Sequence, residues 1–460
     1  MAFLTAPPHR VVVIGGGFGG LFATKALRRA DVEVVLIDRT GHHLFQPLLY
    51  QVATGILSEG QITRSLREEF AKQTNARVLL GEVSEIDLAG RTVTSSAFGS
   101  SASTPYDSLI VAAGSAYSYF GHNEFTADAP GLKSVDDALE IRARIFAAFE
   151  RAEAAQEEME RRRHLTFAVI GGGPTGIEMA GQIRDLARRS LKRNFGSIDP
   201  ADARVVLLEA ASSLLPTYGR RLSSRTVAAL EEVGVEVHLD AGVTGVDAHA
   251  VDYEHSGRLH RLEATTKVWA AGVAAGSLAT TLADQTGVER NRAGQLVLEP
   301  DCTLPGHSEV FVVGDLMSTP GVPGVAQLAI QSGRHAARTI RARLDGRTDS
   351  RPFVYRDKGS LATIARFQAV ATVRGLGFSG LPAWLFWLGV HLWTVMGFGR
   401  RLSVTLRWAF AFVANRRPER VSTQLQAQWP SITPDRDLPR SNGSRAESPV
   451  ASADLRTLAP

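Results

Sequence analysis

Apolar and polar positions fall into a pattern that recurs along the chain. Residues 10–14 (RVVVI) form a β-branched apolar run, GGGFGG (15–20) follows, LFATKALRRA has helical composition, and VEVVLID (32–38) is a second apolar run. Strand, Gly turn, helix and strand in that order predict a βαβ unit. A second unit opens with LTFAVI (165–170), continues through GGGPTGIEMAGQIRDLARR (171–189) and reaches its next strand at RVVLLEA (204–210), with extra residues at 190–203. Two such starts predict two nucleotide-binding domains on one plan.

Between them, residues 134–163 are long, charged and Ala-rich, and Ser134 with Asp137 has the spacing of a capping box. This predicts a helical connection. LIVAAGS (109–115) and KVWAAGV (267–273) are matching strand-to-Gly turns, VFVVGD (310–315) is an apolar strand ending in Gly-Asp, and a helix over 325–344 follows it. The last 30 residues are rich in Ser, Pro and charge, which predicts a disordered tail.

The Gly turns carry chemistry. Gly15, Gly17 and Gly20 make GxGxxG: a tight turn, a close backbone approach to pyrophosphate, and close packing of helix on strand. The helix N-terminus favours the phosphates. Asp38 ends the next strand, placed for ribose hydroxyls. Gly171, Gly173 and Gly176 repeat the pattern with Glu209. A carboxylate there accepts two ribose hydroxyls and repels a 2′-phosphate, so NADH is expected over NADPH. Two dinucleotide sites in one chain point to FAD and a nicotinamide, hence to a redox reaction. Asp315 either hydrogen-bonds a flavin ribityl chain or merely caps the next helix. Glu178 is either a solvent-facing acid that complements the helix dipole or a group aimed at nicotinamide and flavin. Gln327 and Gln331 share a helix face at i and i+4, as a quinone pair or as surface amides.

Composition narrows the partners. The 460 residues hold one cysteine, Cys302, which excludes an internal disulfide, a CxxC redox pair and a multi-thiolate metal site; no metal is expected. The N-terminus lacks the charged start and long apolar run of a secretory signal, so the chain is expected in the cytoplasm or on its membrane face. Residues 356–420 hold ten basic residues and two acids, a balance of +8 that leaves −4 for the rest of a chain of net +4. Four of the six Trp also lie there, at 384, 387, 393 and 408. From Gly375 to Gly399 no residue carries formal charge. Pro382 and several Gly interrupt the stretch, and basic residues flank both ends, so an interfacial helix or helical hairpin is expected, with Trp at the headgroups and Arg against anionic lipid. A Trp-rich core helix or dimer interface is the other reading. Nucleic acid is not an expected partner.

These residues closely resemble the type II NADH:quinone oxidoreductases, the single-subunit, non-pumping NADH dehydrogenases. The matching motifs are VVVIGGGFGG (11–20), HHLFQPLLYQVATGILSEG (42–60), VIGGGPTGIEMAG (169–181), VWAAGV (268–273), VFVVGD (310–315) and AQLAIQ (326–331), and DKGSLATIAR (357–366) is similar to a stretch of actinobacterial members. The resemblance implies an α/β fold of two Rossmann-like domains of the FAD/NAD-linked reductase type plus a C-terminal membrane-associating segment. It places the FAD domain at 1–120 and 290–350, the NADH domain at 121–289 and the membrane segment at 351–420; composition alone puts the disordered tail at 430–460. It implies FAD at Gly15, Gly17, Phe18, Gly19, Gly20, Asp38, Ala113, Gly114, Asp315, Ala326 and Gln327, with Lys358 beside the flavin. It gives NADH to Gly171, Gly173, Gly176, Glu178, Glu209 and Gly272, and a quinone to Gln327 and Gln331. Glu178, Gln327 and Gln331 are the expected catalytic groups. Menaquinone and a homodimer are the implied partners, beside the anionic membrane surface expected from the basic segment. A soluble FAD-dependent reductase of a small electron-carrier protein, or a flavin redox sensor, is the alternative.

Overall fold

The computed structural model describes residues 8–421 except 323, 348–350 and 396. The expected tail at 430–460 lies outside the described residues.

The first sheet has six strands, ordered Thr303–Leu304, His307–Val312, Ser108–Val111, His9–Ile14, Val32–Asp38 and Ala76–Leu80. All pairs are parallel except the hairpin at the Thr303–Leu304 edge. Val11, Val12, Val13 and Ile14 are buried, as expected of a parallel strand covered on both faces. One face carries helices Phe18–Ala26 and Ala326–Leu344, which meet at Leu21, Ala336, Ala337 and Ile340. The other carries helix Ser277–Thr286 and part of a three-stranded antiparallel sheet over 82–105. Helix Ser277–Thr286 falls inside the span 121–289 expected for the second domain, yet Leu278, Ala279 and Leu282 pack beneath the first sheet with Val12 and Ile14.

The second sheet runs Val235–His238, Arg204–Leu208, Thr166–Ile170 and Thr266–Trp269, all parallel. Strands Ser115–Tyr117 and Val273–Ala275 pair antiparallel and join the two halves. The Ser134–Asp137 capping box forms with both of its bonds. The helical connection is two helices, Val135–Ala154 and Glu158–His164. The chain turns extended at Ala155, and the freed carbonyls of Ala154 and Ala155 accept from Gln156 and Arg161 side chains.

Past residue 359 the chain forms a three-stranded sheet, Ser360–Ala365, Gln368–Val373 and Leu376–Ser379, that the apolar pattern does not mark as strands. Helices Leu381–Thr394 and Phe398–Val413 follow. Trp387 lies tilted against Trp408 at 5.2 Å and Trp384 meets Phe412 edge-on at 5.4 Å, so the pair is an antiparallel hairpin. Gly380 and Gly397, both at positive φ, start the two helices. The first helix has 14 residues, about 21 Å at 1.5 Å per residue. Among the described residues no helix is long and apolar enough to cross a membrane. The expected place of Trp at the headgroups is corrected. Trp384, Trp387 and Trp408 are buried in the core, and of these four Trp393 is the exposed one, at 78%. The outward apolar face is made instead by Leu381, Leu385, Leu402, Leu406, Phe410 and Val413. Broad indole rings fill the space between hairpin and body, where aromatic area stabilises most.

Candidate functional site

The two Gly turns have one geometry. Gly15 takes φ +95, and a side chain there would collide with the Ala112 carbonyl. Gly17 caps helix Phe18–Ala26 with no side-chain bond and open space around its Cα. Gly20 lies against the Gly15 carbonyl. Asp38 accepts from Gly16 N at 2.7 Å and from Thr40 N and Gly41 N, each at 2.8 Å, which fixes the turn from the strand end. In the second unit Gly171 takes φ +110, Gly173 caps helix Pro174–Asp185 with open space around it, and Gly176 lies against the Gly171 carbonyl. Glu209 accepts from Gly172 N at 2.5 Å and Ala211 N at 2.7 Å. Each turn leaves unsatisfied helix N–H groups facing outward beside a carboxylate, the arrangement that takes a pyrophosphate and a ribose.

A third edge closes the first turn. Asp315 accepts from Ser115 Oγ at 2.7 Å, and Lys133 Nζ donates to the same hydroxyl at 2.5 Å. Burial lowers the Lys133 pKa, opposed by Asp315 and Asp137. Ala326 begins the helix Ala326–Leu344, whose Gly333 packs on the Gly19 carbonyl. The Gln327 amide oxygen is buried with no hydrogen-bond partner. Ala113 is exposed, and Gly114 takes φ +72 with open space beyond. Phe18 sets its ring edge-on to His43 at 4.9 Å. In sequence His43 stands out only as part of the 42–60 motif. It is buried, its Nδ1 lies 3.0 Å from the Gly16 carbonyl, and its Nε2 has no partner. Desolvation lowers its pKa, so the ring stays neutral and presents an acceptor. Unsatisfied buried polar atoms at Gln327 and His43, and two open helix N-termini, fit two dinucleotides that supply the missing bonds.

Glu178 is not solvent-facing. It is 8% exposed, and burial pushes its pKa up to about 8 although Thr363 N and Oγ1 reach Oε1 at 3.3 and 3.5 Å. Thr363 is also 2.9 Å from the hydroxyl of buried Tyr50, a residue of the 42–60 motif. Sequence spacing cannot signal a contact between positions 50 and 363.

Gln331 differs from Gln327 in its contacts. Its amide exchanges two bonds with the Arg356 backbone. Lys358 is exposed, and among the described residues no hydrogen bond of its ammonium ties it to the turns. The Gly272 carbonyl accepts from Ser118 N at 3.1 Å, and a Cβ there would press on Phe120, so Gly272 admits the strap that carries Phe120. Cys302 is buried with its thiol pushed up to about 12 by desolvation, which leaves it unreactive.

Residues 9–333 match the family described as pyridine nucleotide-disulphide oxidoreductase. The chain is 52% identical over 426 residues, 92% of both chains, to the type II NADH:quinone oxidoreductase Ndh of Mycobacterium tuberculosis. It is 52% identical over 420 residues to NdhA of the same organism, covering 90% of this chain and 89% of that one. Among solved structures, NDH2 of Plasmodium falciparum in complex with NADH superposes with a TM-score of 0.82 at 20% identity, covering 88% of this chain and 98% of the other.

Proposed function

Because the chain belongs to the type II NADH:quinone oxidoreductases, which pass electrons from NADH through FAD to a quinone, we propose that the Gly15 turn holds FAD and the Gly171 turn holds NADH. The identity to the Mycobacterium tuberculosis enzymes carries the activity and sets aside a soluble carrier-protein reductase and a flavin sensor. Bound flavin supplies hydride acceptance and electron delivery.

The chain's own residues supply the rest. The helix N-termini at Gly17 and Gly173 hold the pyrophosphates, and Asp38 and Glu209 take the riboses. Asp315, steadied by Ser115 and Lys133, accepts from the ribityl hydroxyls. Gln327 lends its buried, unpaired amide oxygen to the flavin and quinone edge. Glu178 holds a proton near neutral pH and can release it when the quinone is reduced. The buried, unpaired Gln327 oxygen is the observation that supports this placement.

We further propose menaquinone as acceptor, the cytoplasmic face of the membrane as location, and a homodimer, on the resemblance to actinobacterial members. The outward Leu402, Leu406, Phe410 and Val413 face supports a bilayer seat. Steady-state NADH oxidation with a soluble quinone tests the activity, and the same assay on membrane and soluble fractions tests the location. Turnover at full rate without a quinone would reject the acceptor.

A further inference from the structure

A buried line of hydrogen bonds runs from the C-terminal hairpin to Glu178. The Trp408 indole N–H donates to Gln51 Oε1 at 2.6 Å. Gln51 Nε2 donates to the Tyr50 hydroxyl at 3.0 Å. Tyr50 lies 2.9 Å from Thr363 Oγ1, and Thr363 reaches Glu178 Oε1 through its hydroxyl at 3.5 Å and its N–H at 3.3 Å. All five side chains are buried.

Each bond's direction follows from what its groups can do. An indole N–H only donates. Gln51 must therefore turn its carbonyl to Trp408 and its NH₂ to Tyr50. The Tyr50 oxygen accepts from Gln51, so its own proton goes to Thr363. The Thr363 hydroxyl, having accepted, donates to Glu178. Bonds aligned this way polarise one another toward the carboxylate. Reversal would set the Gln51 NH₂ against the indole N–H, donor against donor.

We propose that Trp408 and Gln51 are positioning residues for the reaction: they fix the polarity of the Tyr50–Thr363 pair, so that Glu178 is held as an acceptor and its proton affinity depends on the seating of the hairpin. The line delivers no proton to the hairpin, because Trp408 Nε1 cannot accept one. This inference rests on the assignment of Glu178 to the reaction.

The titratable groups facing Glu178 are Tyr50 on helix Leu49–Ala53 and Tyr218 on the turn Pro216–Tyr218. Burial holds both phenols well above their ordinary range. On the helix of Glu178 itself, Pro174–Asp185, Asp185 is bonded to Arg417 at 3.0 Å, and Arg417 also bears on Tyr50. Between these two raised phenols, Glu178 titrates at about 8.

The test uses the full-length holoenzyme and a readout independent of turnover. The carboxyl infrared band of Glu178, identified by its loss in Glu178→Gln, is titrated in each variant. Trp408→Phe keeps a ring and removes the N–H, which frees Gln51 to rotate and Thr363 to turn its proton away. The midpoint then rises by about half a pH unit or more, since the carboxylate loses a donor. Gln51→Met produces a similar rise, and the double variant adds nothing beyond either single one. An unmoved midpoint in both singles, or additive shifts in the double, overturns the inference. A Glu178→Gln enzyme with the wild-type pH–rate profile would instead remove Glu178 from the reaction, a separate result from the infrared midpoint.

Discussion

Gln331 is closed onto the backbone of Arg356: its Oε1 accepts from Arg356 N at 3.0 Å and its Nε2 donates to the Arg356 carbonyl at 2.9 Å. One turn earlier on the same helix, Gln327 keeps its buried oxygen unpaired. Two amides that look alike in sequence therefore play different parts. Gln327 is open to a ligand, whereas Gln331 holds the segment that leads into strand Ser360–Ala365.

Gln331→Leu is expected to lower unfolding stability by about 1–2 kcal/mol, the net value of two hydrogen bonds. It should slow quinone reduction more than reduction of FAD by NADH, because the displaced segment leads toward Thr363 and the Glu178 cluster. Gln327→Leu should leave stability of the cofactor-free protein almost unchanged, since it removes an unpaired oxygen. Chemical denaturation and stopped-flow half-reactions measure both. Equal slowing of the two half-reactions by Gln331→Leu would reject its selective effect on the quinone step.

The raised Glu178 pKa sets a stability window. Its folded value of about 8 exceeds the ordinary 4.5, so between them the native chain binds more protons than the unfolded one. Stability is therefore lost as pH rises through that interval, by roughly 1.4 kcal/mol for each pH unit. Glu178→Gln removes this slope. Melting curves of both proteins at pH 6 and pH 9 should diverge in favour of the variant at pH 9; parallel behaviour would mean that Glu178 ionises freely in the fold.

Glu209 should decide between the two nicotinamide cofactors. It is held at the strand end by Gly172 N and Ala211 N, where a 2′-phosphate would meet its charge. Wild-type kcat/KM should favour NADH, and Glu209→Gln should narrow the ratio by about tenfold or more, as expected when a close like-charge clash is removed. A wild-type preference for NADPH would overturn the assignment.

The outward stripe Leu402, Leu406 and Phe410 has i, i+4, i+8 spacing on helix Phe398–Val413, with the buried Val404, Trp408 and Phe412 behind it. Phe410→Glu should reduce binding to anionic vesicles about tenfold or more while oxidation of NADH with a soluble quinone persists. Vesicle co-sedimentation with that assay measures both. Undiminished binding would move the membrane seat to another face.

Local features are the legible ones. GGGFGG and GGGPTG announce their turns because a tight bend and a close helix approach need small residues within six positions. Ser134 with Asp137 announces a helix start because each side chain accepts from the other residue's N–H over three positions. Strands 360–379 escape the apolar pattern because their pairing is set by each other and by the hairpin above them. Helix Ser277–Thr286 packs on the other half from the one its place in the chain suggests, because its apolar face does not name the sheet it will cover. Tyr50 with Thr363, and Trp408 with Gln51, are brought together only by tertiary packing across more than 300 residues. The hairpin's tryptophans mislead for a further reason: aromatic residues flanked by Arg suit a lipid headgroup layer and a core seam equally well.

The order of the first sheet has a bearing on how the protein is made. Strand His307–Val312 pairs with Ser108–Val111, and nearly 200 residues separate them. The second sheet is complete once residue 269 has emerged. During synthesis from the N-terminus the strands of the second sheet can therefore pair first, while the opening βαβ unit waits with an uncovered edge for its last partner. The cradle formed by Gly15, Ser115 and Asp315 exists only after that late arrival, so cofactor loading on the first half belongs to the end of chain synthesis.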